Sequence, residues 1–453
     1  MIYPQVSQLS ANSAGILNVI RNESSLAYQQ AVPTVEQTTE SIKAAGTAIL
    51  GFKPRMNEFV NMVNRIAAVV VTSKMYQNPL AFMKKGKMEF GETIEEVFVS
   101  LAKGTPYDPA SSPSTVFKRN LPDVRTMFHQ MNLQTYYPIT ISFQQLKQAF
   151  TSLNGVRSLI EDIVQQVYSA AYYDEYIMTK YTFAVLILNG SIAVDTVPTI
   201  SDSDTARQNV RAVKALSNSM RFMSSSYTMA NVPTFTEPQD MYCIITSDFS
   251  AWVDVEVLAQ AFNMDKATFA GQQVLIDSFS FNQGELDRLD MLLADDPNYE
   301  RLGADDLAAL ETVKCMVCDR RFPQIYDNLD MYAENYNATG LYWNENFHVW
   351  RTYSASPFSN AAITSTTTPS VTGVNVTGEK TVHVGNTYQY VATVTAGKLT
   401  NKGVTWSITP TTNVEINQNG QVTFKSGASG SYTIKATSVA NTTKSGTATA
   451  TIS

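Results

Sequence analysis

A stretch without proline or glycine, from Val156 to Ile187, constrains the fold of this 453-residue chain more than any other sequence feature. Val156, Ile160, Ile163 and Val167 recur at the three- and four-residue spacing of one helix face, and charged and amide residues lie away from that face. The 32 residues would span about 48 Å as a helix, whereas a helix of ~11–12 residues is usual. The sequence therefore predicts one helix far longer than an average domain element.

An abrupt change of composition near Ile363 divides the chain in two. None of the 17 methionines lies after Met331, and the residues from Ile363 onward are mostly Thr, Ser, Val and Gly. Residues 363–453 hold six Lys and two Glu, a net charge of +4, so residues 1–362 carry −11 and the whole chain −7. The different residue usage and the opposite charge predict two separately folding units, 1–362 and 363–453.

The second unit alternates between apolar and polar residues as antiparallel strands do. Tyr388–Val394 alternates over seven residues, and Val404–Ile408, Val422–Phe424 and Tyr432–Ala436 follow, with turn residues such as Asn419-Gly420 between them. Six or seven short strands about ten residues apart, with one Trp in the middle, are typical of an immunoglobulin-like (Ig-like) sandwich. This unit has no Cys, so an inter-sheet disulfide is impossible. We predict an all-β sandwich for residues 363–453.

The first unit mixes helices with extended segments. Thr93–Leu101 and Asp123–Ser142 are extended, and Lys103–Ser114 between them contains three prolines, which predicts a long protruding β-hairpin or loop. Periodicity leaves Asn61–Val71 open between helix and strand. Further helices are predicted at Ser201–Ser226 and Val253–Phe262, and a buried strand at Val274–Asp277. The predicted fold class is α+β, followed by the all-β unit.

The composition excludes several classes of protein. Only 16% of the residues are charged, below the ~25% usual in soluble proteins, which suggests surfaces buried against other copies of the chain. The acidic balance disfavours sequence-independent DNA binding. Three cysteines rule out a disulfide scaffold and are typical of an intracellular protein. The first 20 residues resemble no secretion signal, so we expect no export. No apolar run approaches the ~20 residues of a membrane helix, so we expect no membrane anchor.

Cysteine and histidine offer few candidates for chemistry. Cys315 and Cys318 form a lone C-x-x-C, which would need two more ligands to bind zinc or a helix start to act as a redox site. Two buried structural thiols are the favoured interpretation. His129 and His348 could each act as a general base, but both lie among aromatic residues. A hydrogen-bonded structural imidazole is therefore the favoured role of each.

Acidic pairs are the remaining candidate for a metal site. Asp295-Asp296 and Asp305-Asp306 could bind a divalent cation, but a solvated acidic loop is the favoured interpretation. The sequence contains no nucleophile elbow, no phosphate-binding P-loop and no H-E-x-x-H helix. We therefore predict a protein that is not an enzyme, with no catalytic residues, no cofactor and no metal site.

A basic patch beside an acidic one is the candidate contact site. The six residues are Lys84, Lys85, Lys87, Glu92, Glu95 and Glu96. Opposite charges on adjacent exposed segments could pair between neighbouring subunits and set their register. A solvated hairpin base explains the same residues equally well, and the sequence does not decide between the two interpretations.

Three motifs in the first unit are specific: AFNM within Asp254–Phe269, GLYWN at Gly340–Asn344 and HVW at His348–Trp350. Together with shorter blocks in the same order, such as Lys84-Lys85-Gly86 and Tyr326–Leu329, they resemble the major capsid proteins of phi-29-like short-tailed (podovirus-type) bacteriophages. That family has the HK-97 capsid fold and also ends in an Ig-like domain. The loop at residues 297–310 looks longer than its counterpart in that family.

The second unit carries a resemblance of its own. V-x-W-S at Val404–Ser407, I-x-x-x-G-x-V-T at Ile416–Thr423 and G-x-x-x-I-x-A at Gly430–Ala436 resemble the group 2 bacterial Ig-like domains. Such domains also occur in bacterial surface adhesins, so an adhesin or binding module is the alternative function. The missing secretion signal and the single Ig-like copy disfavour that alternative.

The resemblance of the first unit implies a fold, a function and partners. It implies an HK-97-like body with an extended loop at 82–142, a spine helix at 154–187 and a segment over about 189–336 that holds most of the axial domain. The implied function is that of a major capsid protein, which forms an icosahedral or prolate head shell around double-stranded DNA. Implied partners are further copies in pentamers and hexamers, a scaffolding protein, a portal (connector), packaged DNA without specific binding, and a head fibre or host surface contacted by the Ig-like domain. We expect assembly in the host cytoplasm and a final location in the virion.

Overall fold

A computed structural model of the chain describes residues 12–70, 76–88, 93–102, 104, 124–252 and 273–453, with residues 64–70 and 160–166 described by their backbone alone. The helices in this part are α1 (Ser13–Glu23), α2 (Leu26–Ala31), α3 (Thr39–Leu50), α4 (Lys53–Val70), α5 (Phe143–Ala149), α6 (Gly155–Leu188), α7 (Ser203–Ser219), α8 (Ser247–Trp252), α9 (Gln283–Leu292) and α10 (Ala304–Glu311).

The strands of the body are β1 (Lys84–Lys87), β2 (Thr93–Val99), β3 (Val124–Gln130), β4 (Leu133–Ser142), β5 (Ala193–Thr196), β6 (Met241–Thr246), β7 (Gln273–Ile276), β8 (Val313–Asp319), β9 (Pro323–Asn337), β10 (Tyr342–Ala355) and β11 (Ala361–Ser365). Those that follow are β12 (Val371–Thr377), β13 (Thr381–Val382), β14 (Thr387–Gln389), β15 (Val391–Ala396), β16 (Val404–Thr409), β17 (Val414–Ile416), β18 (Gln421–Phe424), β19 (Ser431–Ser438) and β20 (Ser445–Ile452).

The long helix is confirmed. Helix α6 contains 34 residues, and its ends lie within one residue of the predicted Val156–Ile187. It stops at Asn189-Gly190, where Gly190 takes a φ of +68° that favours glycine. Helix α4 shows that the open segment Asn61–Val71 is helical up to Val70.

Two other helical predictions have different outcomes. Helix α7 ends at Ser219, earlier than the predicted Ser226, because Ser224 pairs with Thr234 in an isolated β-bridge. The predicted helix at Val253–Phe262 lies outside the described residues, as does Lys103–Ser114 apart from Gly104.

Local sequence fixes where several helices begin. The Asn12 side chain accepts a hydrogen bond from the backbone N–H of Gly15 at the start of α1. Ser142 with Gln145, and Asn282 with Glu285, form reciprocal capping boxes at the starts of α5 and α9. These contacts satisfy backbone donors that have no partner within the helix.

The chain forms two compact units, and the first comprises residues 1–92, 131–178 and 326–352. It contains a four-stranded sheet in the order β1-β9-β10-β4, in which β4 and β10 run antiparallel over ten paired residues. The apolar faces of helices α1, α3 and α4 pack together with Trp343 of β10 and with Phe150. Ile20, Ile42 and Phe59 in this core are each 0% exposed. This burial is the main source of the unit's stability.

The second unit comprises residues 93–130, 179–325 and 353–453. Its five-stranded sheet has the order β5-β11-β8-β6-β7, with parallel pairs at both edges and antiparallel pairs in the middle. Helix α7 covers one face of this sheet through Ala206, Val210, Val213 and Leu216.

The Ig-like residues form three small groups of strands around a common core. These groups are β12-β15, β13-β20-β19-β16 and β14-β18-β17. Trp406, Tyr390, Phe424, Val422 and Ile434 pack in the centre, and the buried Tyr390 hydroxyl donates a hydrogen bond to the Glu379 carbonyl oxygen. Such an all-β arrangement is the one that the alternation of this segment predicts.

Three predicted boundaries move. Strands β1 and β4 belong to the four-stranded sheet, so of the described residues in the loop predicted over 82–142 the paired strands β2 and β3 lie outside that sheet. From Tyr326 onward, β9 lies in the first unit, so the segment predicted over about 189–336 ends eleven residues earlier, at Ile325. Strand β11 is fully buried in the five-stranded sheet, so the body continues to Ser365 and not 362. Composition misled the prediction because the small polar residues Thr364 and Ser365 are fully buried here, and the Ser365 hydroxyl is hydrogen-bonded to that of Thr312.

Candidate functional site

The hairpin β2–β3 has two different faces. Its strands pair from Thr93 opposite Gln130 to Val99 opposite Val124, so successive side chains alternate between the faces. On the inner face, the Phe98 ring stacks on Phe358 at 5.5 Å, and the Arg125 guanidinium donates a hydrogen bond of 2.9 Å to the Ala230 carbonyl oxygen. These contacts hold the hairpin on its own chain.

A buried histidine completes the inner face. The His129 side chain is fully buried, with Nδ1 2.8 Å from the Ser354 hydroxyl and Nε2 3.1 Å from Glu96 Oε2. Ser356 donates a hydrogen bond of 2.7 Å to the other Glu96 oxygen. A serine, a histidine and a carboxylate are also the parts of a catalytic triad, but the buried imidazole leaves no space for a substrate. The geometry therefore supports the structural role predicted for His129.

The outer face of the hairpin carries four exposed apolar side chains beside four exposed polar ones. Val97 is 53% exposed, Val99 55%, Val124 51% and Phe128 53%. Four large apolar side chains on one side of a two-stranded sheet form a contiguous patch of a kind that marks an interaction site. We call these four residues the outer patch.

The predicted patch residue Lys84 lies in a charge cluster within its own subunit. Its Nζ atom is 3.0 Å from Glu175 Oε2 and 3.2 Å from Asp327 Oδ1, and its side chain is only 20% exposed. Arg351, only 5% exposed, lies 2.8 Å from Asp327 and 2.7 Å from Asp330. Burial by itself lowers the pKa of Lys84, but the two carboxylates outweigh it and raise that pKa. Lys84 is therefore not an exposed contact residue, because its carboxylate partners come from distant parts of the same chain.

The other predicted contact residues that the structure describes lie on two different elements, β1 and β2. Lys85 is partly buried and Lys87 is exposed, both on β1 of the first unit. Glu95 is exposed on the outer face of the hairpin opposite Phe128, whereas Glu96 points to the inner face and His129. Glu92 lies outside the described residues. The sequence analysis did not predict the outer patch. A signal for it is present in TIEEVFV, which has apolar residues on both faces of the strand, whereas a strand with one solvated face would have them on one face alone.

The remaining candidates for chemistry are structural in the described part. Cys315 and Cys318 are buried on β8, and the Cys315 sulfur lies 3.3 Å from that of Cys243 on β6, a neighbour that sequence spacing does not reveal. Burial raises the pKa of Cys315, which makes its thiol unreactive. His348 stacks against Tyr136 at 5.7 Å. Among the described residues, no group of three or more His, Cys, Asp or Glu could hold a metal ion.

The acidic residue Asp306 has a defined role. It accepts a hydrogen bond from the backbone N–H of Gly303 at the start of α10 and pairs with Lys398. Burial alone would raise the pKa of Asp306, but these two contacts outweigh it and lower the pKa. No helix in the described ranges is both long and apolar enough to cross a membrane.

Comparisons with known proteins agree with this architecture. Residues 17–365 match the model of the phi29-like phage major capsid protein family, and residues 370–449 match that of the bacterial Ig-like domain, group 2. The major capsid protein of Bacillus phage B103 is 32% identical over 433 residues, covering 94% of this chain and 90% of that protein. The major capsid protein of Bacillus phage PZA is 30% identical over 434 residues, with the same two shares of coverage.

A solved structure supports the fold independently. The capsid structure of Staphylococcus phage Andhra aligns with a TM-score of 0.51 at 14% identity, covering 65% of this chain and 85% of that one. The family match spans most of the body, and the Ig-like match begins just after β11, where the body ends. The chain therefore belongs to the phi29-like phage major capsid proteins, structural subunits of the virion shell, and it carries a group 2 bacterial Ig-like domain at its C-terminal end.

Proposed function

We propose that copies of this chain build a closed icosahedral or prolate head through the outer patch of the β2–β3 hairpin, which packs against a neighbouring subunit. The observation that carries the proposal is the contrast between the two faces. The inner face is fastened to its own chain by Glu96, Phe98, Arg125 and His129, whereas the outer patch is about half exposed. Apolar side chains that the described residues of the subunit leave about half exposed suit a contact that forms on assembly.

The energy of such a contact is modest. Full burial of a Val or Phe side chain is worth about 1.5–3 kcal/mol, so covering a half-exposed one contributes about 1 kcal/mol. The outer patch then contributes about 4 kcal/mol, which alone corresponds to an affinity near 1 mM. A single contact of this strength is weak, and repetition in every subunit of a closed shell makes the assembly stable.

Lysine substitutions in the outer patch test this proposal. Val97→Lys with Phe128→Lys should leave a folded subunit that forms no closed shells, because two of the four half-exposed apolar side chains become charged. Lysine at 128 would face Glu95, an attractive pair that favours the hairpin itself. Thr93→Lys and Gln130→Lys, made as two single variants, are the control pair, because each adds a positive charge to the same face at a position already polar. They are not combined, because two lysines directly opposite each other would repel.

The readouts are negative-stain microscopy of particles formed in cells that express the other head-assembly proteins, and circular dichroism of the purified subunit. We expect shells from the control pair and only folded, unassembled subunits from the outer-patch pair. Closed shells of normal size and yield from Val97→Lys with Phe128→Lys would refute the proposal.

We also propose a scaffolding protein and a portal as partners of this chain during assembly. Similarity to phage capsid proteins supports assembly in the host cytoplasm around a separate scaffolding protein and a portal, since no described segment of this chain suggests a coiled-coil scaffold. Expression with and without the scaffolding partner should give closed shells and irregular aggregates, respectively. Uniform closed shells from the chain alone would exclude the need for a scaffold.

Packaged double-stranded DNA is the proposed content of the shell. Residues 1–362 carry a net charge of −11, and an acidic wall repels DNA and leaves it free to move in and out. Gel-shift titration of the subunit with duplex DNA should show no binding at physiological salt. Tight binding that weakens steeply with added salt would contradict this assignment.

The Ig-like domain is the proposed contact for a head fibre or a host surface. Truncation after Ser365 should preserve shell formation, because the Ig-like core is made of its own residues. Adsorption to host cells or surface stability of the particle should change instead. Failure of the truncated chain to form any shell would count against this division of roles.

A further inference from the structure

The Ig-like domain makes a close backbone contact with the body. The turn that ends helix α6 places Gly190 against Thr400 in the loop Ala396–Lys402, so closely that a Cβ atom on Gly190 would lie 1.8 Å from the Thr400 carbonyl oxygen. Leu399 and Thr400 are both fully buried, and Leu399 has a left-handed φ of 59°. The approach therefore requires glycine at 190 for two reasons, its positive φ and the absence of a side chain.

An ion pair lies beside this contact. Lys398 of the same loop pairs with Asp306, which also accepts the Gly303 N–H at the start of α10. Asp306 is one of the acidic residues that the sequence suggested as a solvated loop, and its side chain is 21% exposed. We call Gly190 and Asp306, two body residues that contact this loop, the shelf.

The junction is polar and incompletely packed. A cavity of about 590 Å³ lies between loop and body, and its lining includes Tyr181, Asn189, Asn298, Glu300, Arg301 and Lys402. Water can solvate these polar side chains when the loop and the body separate, so separation exposes little apolar surface at the cavity. Polar junctions within a chain resemble transient interfaces more than domain cores.

We propose that the shelf is an interaction surface for the chain's own Ig-like domain, which it holds in one orientation and releases at high ionic strength. The backbone contact at Gly190 sets the orientation, and the Lys398–Asp306 pair supplies a salt-sensitive part of the attraction. The domain is then neither freely tethered nor fused into the body core. This inference stands on the junction alone and does not depend on the outer patch.

Charge substitutions in the full chain test the ionic part. Lys398→Asp and Asp306→Lys should each speed hydrogen exchange of the loop 396–402 about five-fold, and the double swap should restore it to within two-fold of the native rate. Lys398→Asp leaves the helix start intact, so its result is independent of the cap at Asp306. Glu415→Lys is the matched control, because Glu415 pairs with Lys425 inside the Ig-like domain.

Alanine substitutions test the backbone part. Gly190→Ala and Gly385→Ala both place a side chain at a positive φ, but Cβ at 385 would meet nothing within 4 Å. Of these two variants, we expect faster exchange of the loop 396–402 in Gly190→Ala and not in Gly385→Ala. In the native chain, we expect the same loop to exchange faster in 1 M salt than in 0.1 M salt. Unchanged exchange in Lys398→Asp and Gly190→Ala, or a loop equally fast in all variants including the native chain, would overturn the proposal.

Discussion

Replacing Arg351 with methionine should destabilise the folded subunit by about 3–5 kcal/mol. Arg351 is 5% exposed and lies 2.8 Å from Asp327, 2.7 Å from Asp330 and 3.5 Å from Glu175. Its Nη1 atom also donates hydrogen bonds to the carbonyl oxygens of Leu329 and Trp350. Among the described residues the cluster holds three carboxylates against two cations, so the substitution removes one of the two positive charges.

The magnitude follows from burial of the carboxylates. Glu175 is 3% exposed and Asp327 19%, so neither recovers much hydration when its partner is removed. Removing one partner of a buried ion pair typically costs about 3–5 kcal/mol, mostly because a charge remains buried without compensation. Asp330 is 38% exposed and adds little, since water screens it. Arg351→Lys should lower the free energy of unfolding less than Arg351→Met does, because lysine keeps the positive charge although it lacks the planar guanidinium group that can bond two acceptors at once.

Urea denaturation of the purified subunit at pH 7 measures these free energies. Arg207→Met is the matched control, because Arg207 pairs with Asp204 on the exposed surface of α7, with side chains 61% and 82% exposed. We expect a change below about 1 kcal/mol for the control. A loss below 1 kcal/mol for Arg351→Met as well would refute the reasoning that the cluster is buried and mutually dependent.

Two further predictions concern titratable groups. Because the pKa of Lys84 is raised in the folded state, its contribution should be complete below about pH 10.4, its unfolded pKa, and fade as pH rises beyond that value. The stability difference between the native chain and Lys84→Met should therefore shrink as the pH rises above about 10.4, and a difference that stays constant would contradict this prediction. His129→Phe should cost about 1–3 kcal/mol, because Glu96 and Ser354 each lose a buried partner. Hydrogen exchange in β2 and β3 should speed up, whereas exposed His383→Gln should leave both measurements unchanged.

Local patterns in the sequence predicted much of the fold. Helix α6 was predictable because its apolar period is uninterrupted and its end is a glycine turn, both properties of neighbouring residues. The hairpin strands and the Ig-like sandwich follow from alternation in the same way. These features depend on contacts within the element or on an adjacent one, so a single sequence carries them.

Contacts between distant residues could not be predicted. Lys84 looked like an exposed basic residue because its partners, Glu175 and Asp327, lie 91 and 243 positions away. Cys243 and Cys315 are neighbours only because β6 pairs with β8. The boundary at 362 was placed too early because composition reports residue type, whereas membership of a sheet depends on pairing. The outer patch required knowing which face of the hairpin is fastened to the chain.

Cryo-electron microscopy of heads assembled from this chain would show directly what contacts the outer patch. We expect closed shells in which another copy of the chain covers Val97, Val99, Val124 and Phe128. Shells in which these four side chains face solvent would contradict this expectation.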